Sequence, residues 1–300
     1  MPACEPKDYV GRFAPSPTGP LHFGSLVAAT ASYLQARANC GRWLLRIEDI
    51  DPPREQPGAA AAIIETLGRY GFDWDGDIRY QSDCHDAHEA AVATLVERHL
   101  AYACSCSRTD LSGAAQGELG SIYPGTCRDR RIAGESAIRL RTDNTPIEFD
   151  DALQGRVIQH LESESGDFVI RRRDGLIAYH LAVVVDDEMQ GVTEVVRGID
   201  LLDSTPRQIW LQRVLGFRTP HYAHIPVITN SMGEKLSKST NASAISGADI
   251  AATLVEALAF LQLSPPAKLA HENLSNIWSW ALQNWQIGKL LGRKSIVKTA

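Results

Sequence analysis

Two polar stretches, far apart in the sequence, carry residue types suited to phosphate chemistry. The first is Arg12-Phe13-Ala14-Pro15-Ser16-Pro17-Thr18-Gly19-Pro20-Leu21-His22-Phe23-Gly24. An apolar segment ends there, a turn fixed by proline and glycine follows, and a His-x-Gly opens a helical pattern. The first turn of a helix offers unpaired backbone N–H groups and positive partial charge, which together attract phosphate. Thr18 and His22 would stand beside it as donors, and Gly24 lets a flat base or a phosphate approach the backbone. The second stretch is Glu234-Lys235-Leu236-Ser237-Lys238-Ser239. Two lysines and two hydroxyls on a polar loop can close around a polyphosphate and stabilise charge on departing pyrophosphate. Either stretch alone reads as an ordinary turn or surface loop. Together, each supplies what the other lacks.

A third group is Cys104, Cys106 and Cys127. Three thiols are one ligand short of a closed tetrahedral metal site, and a histidine or carboxylate would complete it, His99 being the candidate from spacing. The competing reading is three thiols with no metal. The group stands apart in sequence from the phosphate stretches, so a structural zinc is expected rather than a catalytic one. It would fix a region with little core of its own.

The elements that must position these groups follow from periodicity and punctuation. Residues 9–14 read as a strand, 25–38 as a helix, 43–47 as a strand ending in Glu48, Asp49 and Asp51, and 59–70 as a helix stopped by Gly71. Strand, loop, helix, strand, helix opens a doubly wound α/β domain. Asp83 is expected to cap a helix reaching about residue 100. Residues 104–134 are rich in Cys, Ser, Gly and Arg without sustained periodicity and read as an insertion. Further strands are expected at 137–141, 146–149, 167–172, 192–197 and 224–228, and helices at 205–215, 248–261 and 273–285. Residues 181–185 are apolar throughout, and periodicity does not decide between helix and strand there. The expected α/β architecture is a Rossmann-like, doubly wound parallel sheet split by a zinc-bearing α+β insertion. Residues 1–82 and 166–245 form the two halves of the nucleotide-binding domain, 83–165 the insertion, and 246–300 a short helical region.

Composition excludes several classes. With 44% hydrophobic and 22% charged residues, the chain has the make-up of a globular protein. No run approaches the roughly 18–20 apolar residues that span a bilayer, and the start lacks the charged and apolar regions of a secretory signal. A cytoplasmic location with no membrane partner is therefore expected. A net charge of −6 argues against a basic nucleic-acid scaffold, yet not against RNA as a substrate, because local patches steer polyanions. Arg128, Arg130 and Arg131, and the run Arg171, Arg172 and Arg173, are candidate patches. Six cysteines in 300 residues are too few for a disulfide scaffold.

His22-Phe23-Gly24-Ser25 and Lys235-Leu236-Ser237-Lys238-Ser239 resemble the two signatures of class I aminoacyl-tRNA synthetases. Ser25 stands where that pattern has a second histidine, and Leu236 where it has methionine. The stretch from Arg12 to His22, Arg46-Ile47-Glu48-Asp49-Ile50-Asp51, the run from Tyr179 to Asp187, and Val196-Arg197-Gly198 further resemble glutamyl-tRNA synthetases. The similarity runs in order from about residue 9 to 241. Residues 246–300 are too few for an anticodon-binding module. With the cysteine group and the run from Arg197 to Gln208, this makes the chain similar to the glutamyl-Q tRNA(Asp) synthetases. That family attaches glutamate to queuosine at the wobble position of aspartate tRNA.

The resemblance implies a ligase that uses ATP with Mg2+ to make glutamyl-adenylate from L-glutamate, then passes the glutamyl group to tRNA(Asp) carrying queuosine. Thr18, His22 and Lys238 are the implied catalytic residues, the first two on the phosphates and Lys238 on the leaving pyrophosphate. His22, Gly24, Lys235, Ser237 and Lys238 would contact ATP. Arg12, Phe13, Ala14, Pro15, Ser16, Glu48, Tyr179 and Arg197 would form the glutamate pocket. Within it, Glu48 would pair with the ammonium, and the planar fork of Arg197 suits the side-chain carboxylate. Zinc would be held by Cys104, Cys106 and Cys127, with Tyr123 as the family's fourth ligand. A monomer is expected. Three rivals remain: a truncated glutamyl-tRNA synthetase charging the tRNA 3′ end, a nucleotidyltransferase with a small acceptor, and a non-catalytic zinc protein that binds RNA.

Overall fold

The computed structural model describes residues 8–117, 120–230, 245 and 249–297. Lys235, Ser237 and Lys238 lie outside the described residues.

The chain opens with strand β1 (Val10–Phe13), helix α1 (Phe23–Ala38) and strand β2 (Arg42–Ile47). β1 and β2 pair in parallel from Val10 opposite Arg42 to Phe13 opposite Leu45. α1 is buried on more than one face, with Leu26, Ala29 and Leu34 sealed from solvent. Its two buried hydroxyls are satisfied within the helix, Thr30 on the Leu26 carbonyl at 2.8 Å and Ser32 on that of Ala29 at 3.0 Å. Helix α2 (Ala59–Arg69) buries a single stripe, Ala59, Ile63 and Leu67, at four-residue spacing. The chain then turns at Gly71, where a positive φ of 76° suits glycine. Strand β3 (Arg79–Tyr80) extends β2 in parallel.

Helix α3 (His85–Glu97) follows a 3-10 turn at Gln81–Cys84. Asp83 sits inside that turn, and the helix has no side-chain cap, so the expected Asp83 cap is not formed. Strand β4 (Ala101–Cys104) joins β5 (Ala137–Leu140) and, beyond the hairpin of β6 (Ile147–Asp151) and β7 (Gly155–Gln159), β8 (Phe168–Arg171). β4, β5 and β8 make an antiparallel sheet in the order β8-β5-β4. Residues 181–185 belong to helix α4 (Tyr179–Gln190). Leu181, Ala182, Val183, Val184 and Val185 are all buried, which is why no period of 2 or 3.6 showed in the sequence.

Strand β9 (Glu194–Gly198), helix α5 (Thr205–Leu215) and strand β10 (His221–Ile225) complete the second parallel unit. β9 and β10 pair in parallel, Arg197 lying opposite His224, and β6 continues the sheet through Asp151 opposite Tyr222. The two units meet at β1 and β9. There the Thr193 N–H donates to the Val10 carbonyl at 2.9 Å, and the Val10 N–H to Thr193 Oγ1 at 2.9 Å. β1 therefore has β2 on one side and β9 on the other. Such a reversal point opens a crevice at the carboxyl ends of the strands.

Residues beyond the second unit fold back onto the first. Strand β11 (Val227–Thr229) pairs in parallel with β12 (Ser295–Val297), and helices α6 (Ile250–Phe260) and α7 (Leu274–Asn284) lie between them in sequence. Trp278 on α7 packs edge-on against Tyr33 and Phe72, with ring centroids 4.8 and 5.0 Å apart. Its indole N–H donates to the Tyr70 carbonyl at 3.0 Å. Among the described residues, no helix is long and apolar enough to cross a membrane.

Candidate active site

The crevice at the ends of β1 and β9 is a cavity of about 370 Å³. Arg12, Phe13, Ala14, Pro15, Ser16, Thr18, His22, Gly24, Glu48, Tyr179 and Arg197 all line it, drawn from β1, the turn after it, the start of α1, the residue following β2, α4 and β9. Asp200, Leu201 and the stretch from Ile225 to Ile228 line it as well; the sequence had placed them in the run from Arg197 to Gln208 and in the strand at 224–228, but had not named them as site residues. At Gly198 a Cβ would stand 2.4 Å from the Asp200 carboxylate, so any side chain there would displace Asp200 at the wall.

His22 caps α1. Its Nδ1 accepts the Ser25 N–H at 3.2 Å, and its Nε2 lies 3.1 Å from Ser25 Oγ. The histidine of the first stretch is thus fixed at the start of the helix, with both ring nitrogens facing Ser25. Histidine is an uncommon N-cap, so cap preferences alone would not have found this arrangement.

Beneath the floor lies a buried charge network. Arg46 is fully buried and places Nη1 2.7 Å from Asp187 Oδ1 and 2.7 Å from Gln190 Oε1, with Nη2 3.3 Å from Glu48 Oε1. Asp187 also holds Arg12, whose Nε is 3.3 Å away. Asp186, on the same helix, accepts from Gln81 at 2.7 Å and faces His88 at 2.8 Å. Burial would push the Asp187 carboxyl up, but Arg12 and Arg46 overcome it and hold it below the ordinary carboxylate value. For Glu48, burial wins over Arg46 and Arg12 and lifts its pKa. Burial also raises the Tyr179 phenol, which therefore stays protonated.

Arg197 is held from behind. Its Nε donates to His224 Nε2 at 3.1 Å, and its Nη2 to Thr205 Oγ1 at 2.7 Å and Gln208 Oε1 at 2.8 Å. Nη1 is buried and has no hydrogen-bond partner. An unsatisfied guanidinium nitrogen on a cavity wall is costly unless an acceptor enters the cavity. This arrangement can bind a carboxylate.

The cysteine group lies apart, on β4 and the loop beyond it. Cys104, Cys106 and Cys127 bring their sulfurs within 4.8 Å of one another. The Tyr123 phenol oxygen stands 3.4 Å from Cys104 Sγ and 3.7 Å from Cys106 Sγ, and it accepts the Cys127 N–H at 2.9 Å. Burial opposes ionisation of Cys127, but hydrogen bonds from the Ser105 backbone, Tyr123 and the other thiols pull it down to about 6. Three sulfurs and an oxygen, one sulfur readily ionised, form a donor set fitted to a small soft cation. His99 ends α3 in a left-handed turn with φ 56° and is not in that group.

Comparison with known proteins shows the family and the fold. The model of the catalytic domain of class I tRNA synthetases (E and Q) matches residues 9–253. The glutamyl-Q tRNA(Asp) synthetase of Pseudomonas aeruginosa is 54% identical over 94% of this chain and 95% of its own length. That of Dechloromonas aromatica is 55% identical over 92% of this chain and 94% of its own. The crystal structure of glutamate-tRNA synthetase from Elizabethkingia anophelis shares the fold, with a TM-score of 0.78 at 23% identity. The match covers 98% of this chain and 68% of that one. By these similarities, with the shared fold, the chain belongs to the glutamyl-Q tRNA(Asp) synthetase family within the class I tRNA synthetases, and is a ligase of that type.

Proposed function

We propose that this chain activates L-glutamate with ATP and Mg2+ as glutamyl-adenylate and transfers the glutamyl group to queuosine at the wobble position of tRNA(Asp). The observation that carries the proposal is charge complementarity within one cavity, where Arg12, Arg197 and Glu48 line the wall together. Glutamate has two carboxylates and one ammonium; the wall offers the guanidinium groups of Arg12 and Arg197 to the former and Glu48 to the latter, with Asp200 as a second carboxylate on the same wall. Arg197 would take the side-chain carboxylate through its unpartnered Nη1, and Glu48 the ammonium. Arg12 would lie against the remaining carboxylate, with Tyr179, Ser16 and the Phe13-Ala14-Pro15 backbone closing the pocket.

In the first step, an oxygen of the α-carboxylate attacks the α-phosphorus of ATP. The bond to the bridging oxygen breaks and pyrophosphate leaves. Thr18 and His22, at the start of α1, would orient the phosphates, with Gly24 giving the nucleotide close access to the backbone. Lys235, Ser237 and Lys238 would stabilise the departing charge. Mg2+ arrives with ATP and offsets the charge that would otherwise repel a carboxylate nucleophile. In the second step, a hydroxyl of the RNA attacks the acyl carbon and AMP leaves. Cys104, Cys106, Cys127 and Tyr123 would hold a structural zinc, fixing the insertion at residues 83–165 beside the catalytic halves at 1–82 and 166–245, with 246–300 as the helical region.

Pyrophosphate exchange with glutamate, glutamine and aspartate, with and without tRNA, tests the first step. Exchange dependent on glutamate alone, and independent of tRNA, is expected. Mapping labelled glutamate on nuclease fragments of tRNA tests the second. Label on the anticodon fragment is expected, and label on the 3′-terminal adenosine would replace the queuosine reading with charging of the 3′ end.

A further inference from the structure

Behind Arg197 lies a line of buried groups that the activation chemistry does not touch. Asp151, His224 and Arg197 stand on β6, β10 and β9, three neighbouring strands. Sheet register brings them together: Arg197 lies opposite His224, and Tyr222, two residues before His224, lies opposite Asp151. All three side chains are buried, His224 completely.

The hydrogen bonds along this line can run only one way. A guanidinium has donors and no acceptor. Because Arg197 Nε sits 3.1 Å from His224 Nε2, that ring nitrogen must be the unprotonated one. The ring proton is then on Nδ1, which donates to Asp151 Oδ2 at 2.5 Å. Asp151 is itself fixed, since its Oδ1 accepts the N–H groups of Leu153 at 3.0 Å, Gln154 at 2.9 Å and His224 at 3.2 Å. Burial pulls His224 below the ordinary histidine value, in keeping with a neutral ring.

We propose that Asp151 and His224 are positioning residues: Asp151 locks the His224 tautomer, and the locked ring aims Arg197 so that Nη1 alone faces an incoming carboxylate. With Nε on the ring and Nη2 on Thr205 and Gln208, Nη1 is the part of the fork left over. A neutral ring does what a carboxylate in its place would not. A carboxylate at that position would orient the guanidinium but neutralise it, leaving little attraction for substrate. The imidazole transmits the orientation and keeps the counter-charge one ring further away. The inference rests on the glutamate-activation reading above.

Asp151→Asn is the test. Asparagine keeps an oxygen for the three backbone N–H groups, but it presents an amide to His224 Nδ1 and forces the other tautomer. Nε2–H can then bond only to Thr205 Oγ1, 3.1 Å away, and the Arg197 Nε–H loses its acceptor. Kinetics of pyrophosphate exchange should show the KM for glutamate rising about 10- to 100-fold, the scale of leaving a buried donor unpaired. The KM for ATP should stay within about twofold, since among the described residues Asp151 and His224 make no hydrogen bond to the first phosphate stretch, Thr18 to Gly24. Thr205→Val, nearly isosteric, removes one of the three Nη2 acceptors (Thr205 Oγ1, Gln208 Oε1 and, at 3.4 Å, the Leu201 carbonyl) together with the hydroxyl 3.1 Å from His224 Nε2, and should raise the glutamate KM about 3- to 10-fold with no change for ATP. An unchanged glutamate KM in both variants would overturn the inference, as would equal rises for glutamate and ATP. Absence of glutamate-dependent exchange in the unmodified chain is a different result and would overturn the activation reading instead.

Discussion

Replacing Arg46 with methionine removes the cation at the centre of the buried network and keeps most of its volume. Arg46 is fully buried and serves Asp187, Glu48 and, at 3.9 Å, Asp186. Removing one partner of a buried pair leaves an uncompensated charge and costs about 3–5 kcal/mol. The carboxylates are not equally stranded. Asp187 retains Arg12, and Asp186 retains Gln81 and His88, whereas Glu48 loses its hydrogen-bonded partner. The expected loss is therefore toward the lower end, roughly 3–4 kcal/mol. Trp43, buried on the same strand, reports the transition by fluorescence. In urea, with a slope of about 3 kcal/mol/M, the midpoint should fall by about 1 M. Adding Glu48→Gln removes the stranded charge, so the double variant should recover about 1–3 kcal/mol relative to the sum of the single changes. A loss below about 1 kcal/mol for Arg46→Met, or strict additivity in the cycle, would refute the account of the network.

Three further outcomes are expected. Glu48 has a pKa raised by burial, and only its ionised form can hold an ammonium. The glutamate KM should therefore climb as pH falls, beginning above the ordinary carboxylate range, and Glu48→Gln should show a high KM that no longer responds; a flat profile in the unmodified chain removes Glu48 from this role. Lys238→Ala should slow pyrophosphate exchange about 10²- to 10³-fold, and near-normal exchange would exclude it from the mechanism. Elemental analysis of protein never exposed to chelator should find about one zinc per chain, falling sharply in Cys106→Ser; less than about half an equivalent in the unmodified chain would count against the site.

What could be read from the residues was local. The His22-x-Gly24 turn and the helix at residues 205–215 depend on spacings of a few residues, and the structure places them in the expected elements; the close-set Cys104 and Cys106 do meet Cys127, though Cys104 ends strand β4 where no strand was expected. What escaped was set by partners far along the chain. Arg46 and Glu48 sit side by side in a recognisable motif, but the contact of Arg46 with Asp187 spans 141 residues. His224 and Asp151 are 73 residues apart and belong to no motif, so their pairing becomes visible only through sheet register. α4 was ambiguous because burial on all sides erases the periodicity that marks a half-exposed helix. β7 was missed because Gly155-Arg156-Val157-Ile158-Gln159 is polar and mostly exposed, and only its hairpin partner makes it a strand.

The pairing of β11 with β12 bears on what holds the cavity together. β11 forms part of the cavity wall, yet the strand beside it comes from residues 295–297, on the far side of α6 and α7 in sequence. The wall is therefore braced by a distant part of the chain, and a change at Ser295, Ile296 or Val297, none of which lines the cavity, would be felt there through the shared ladder.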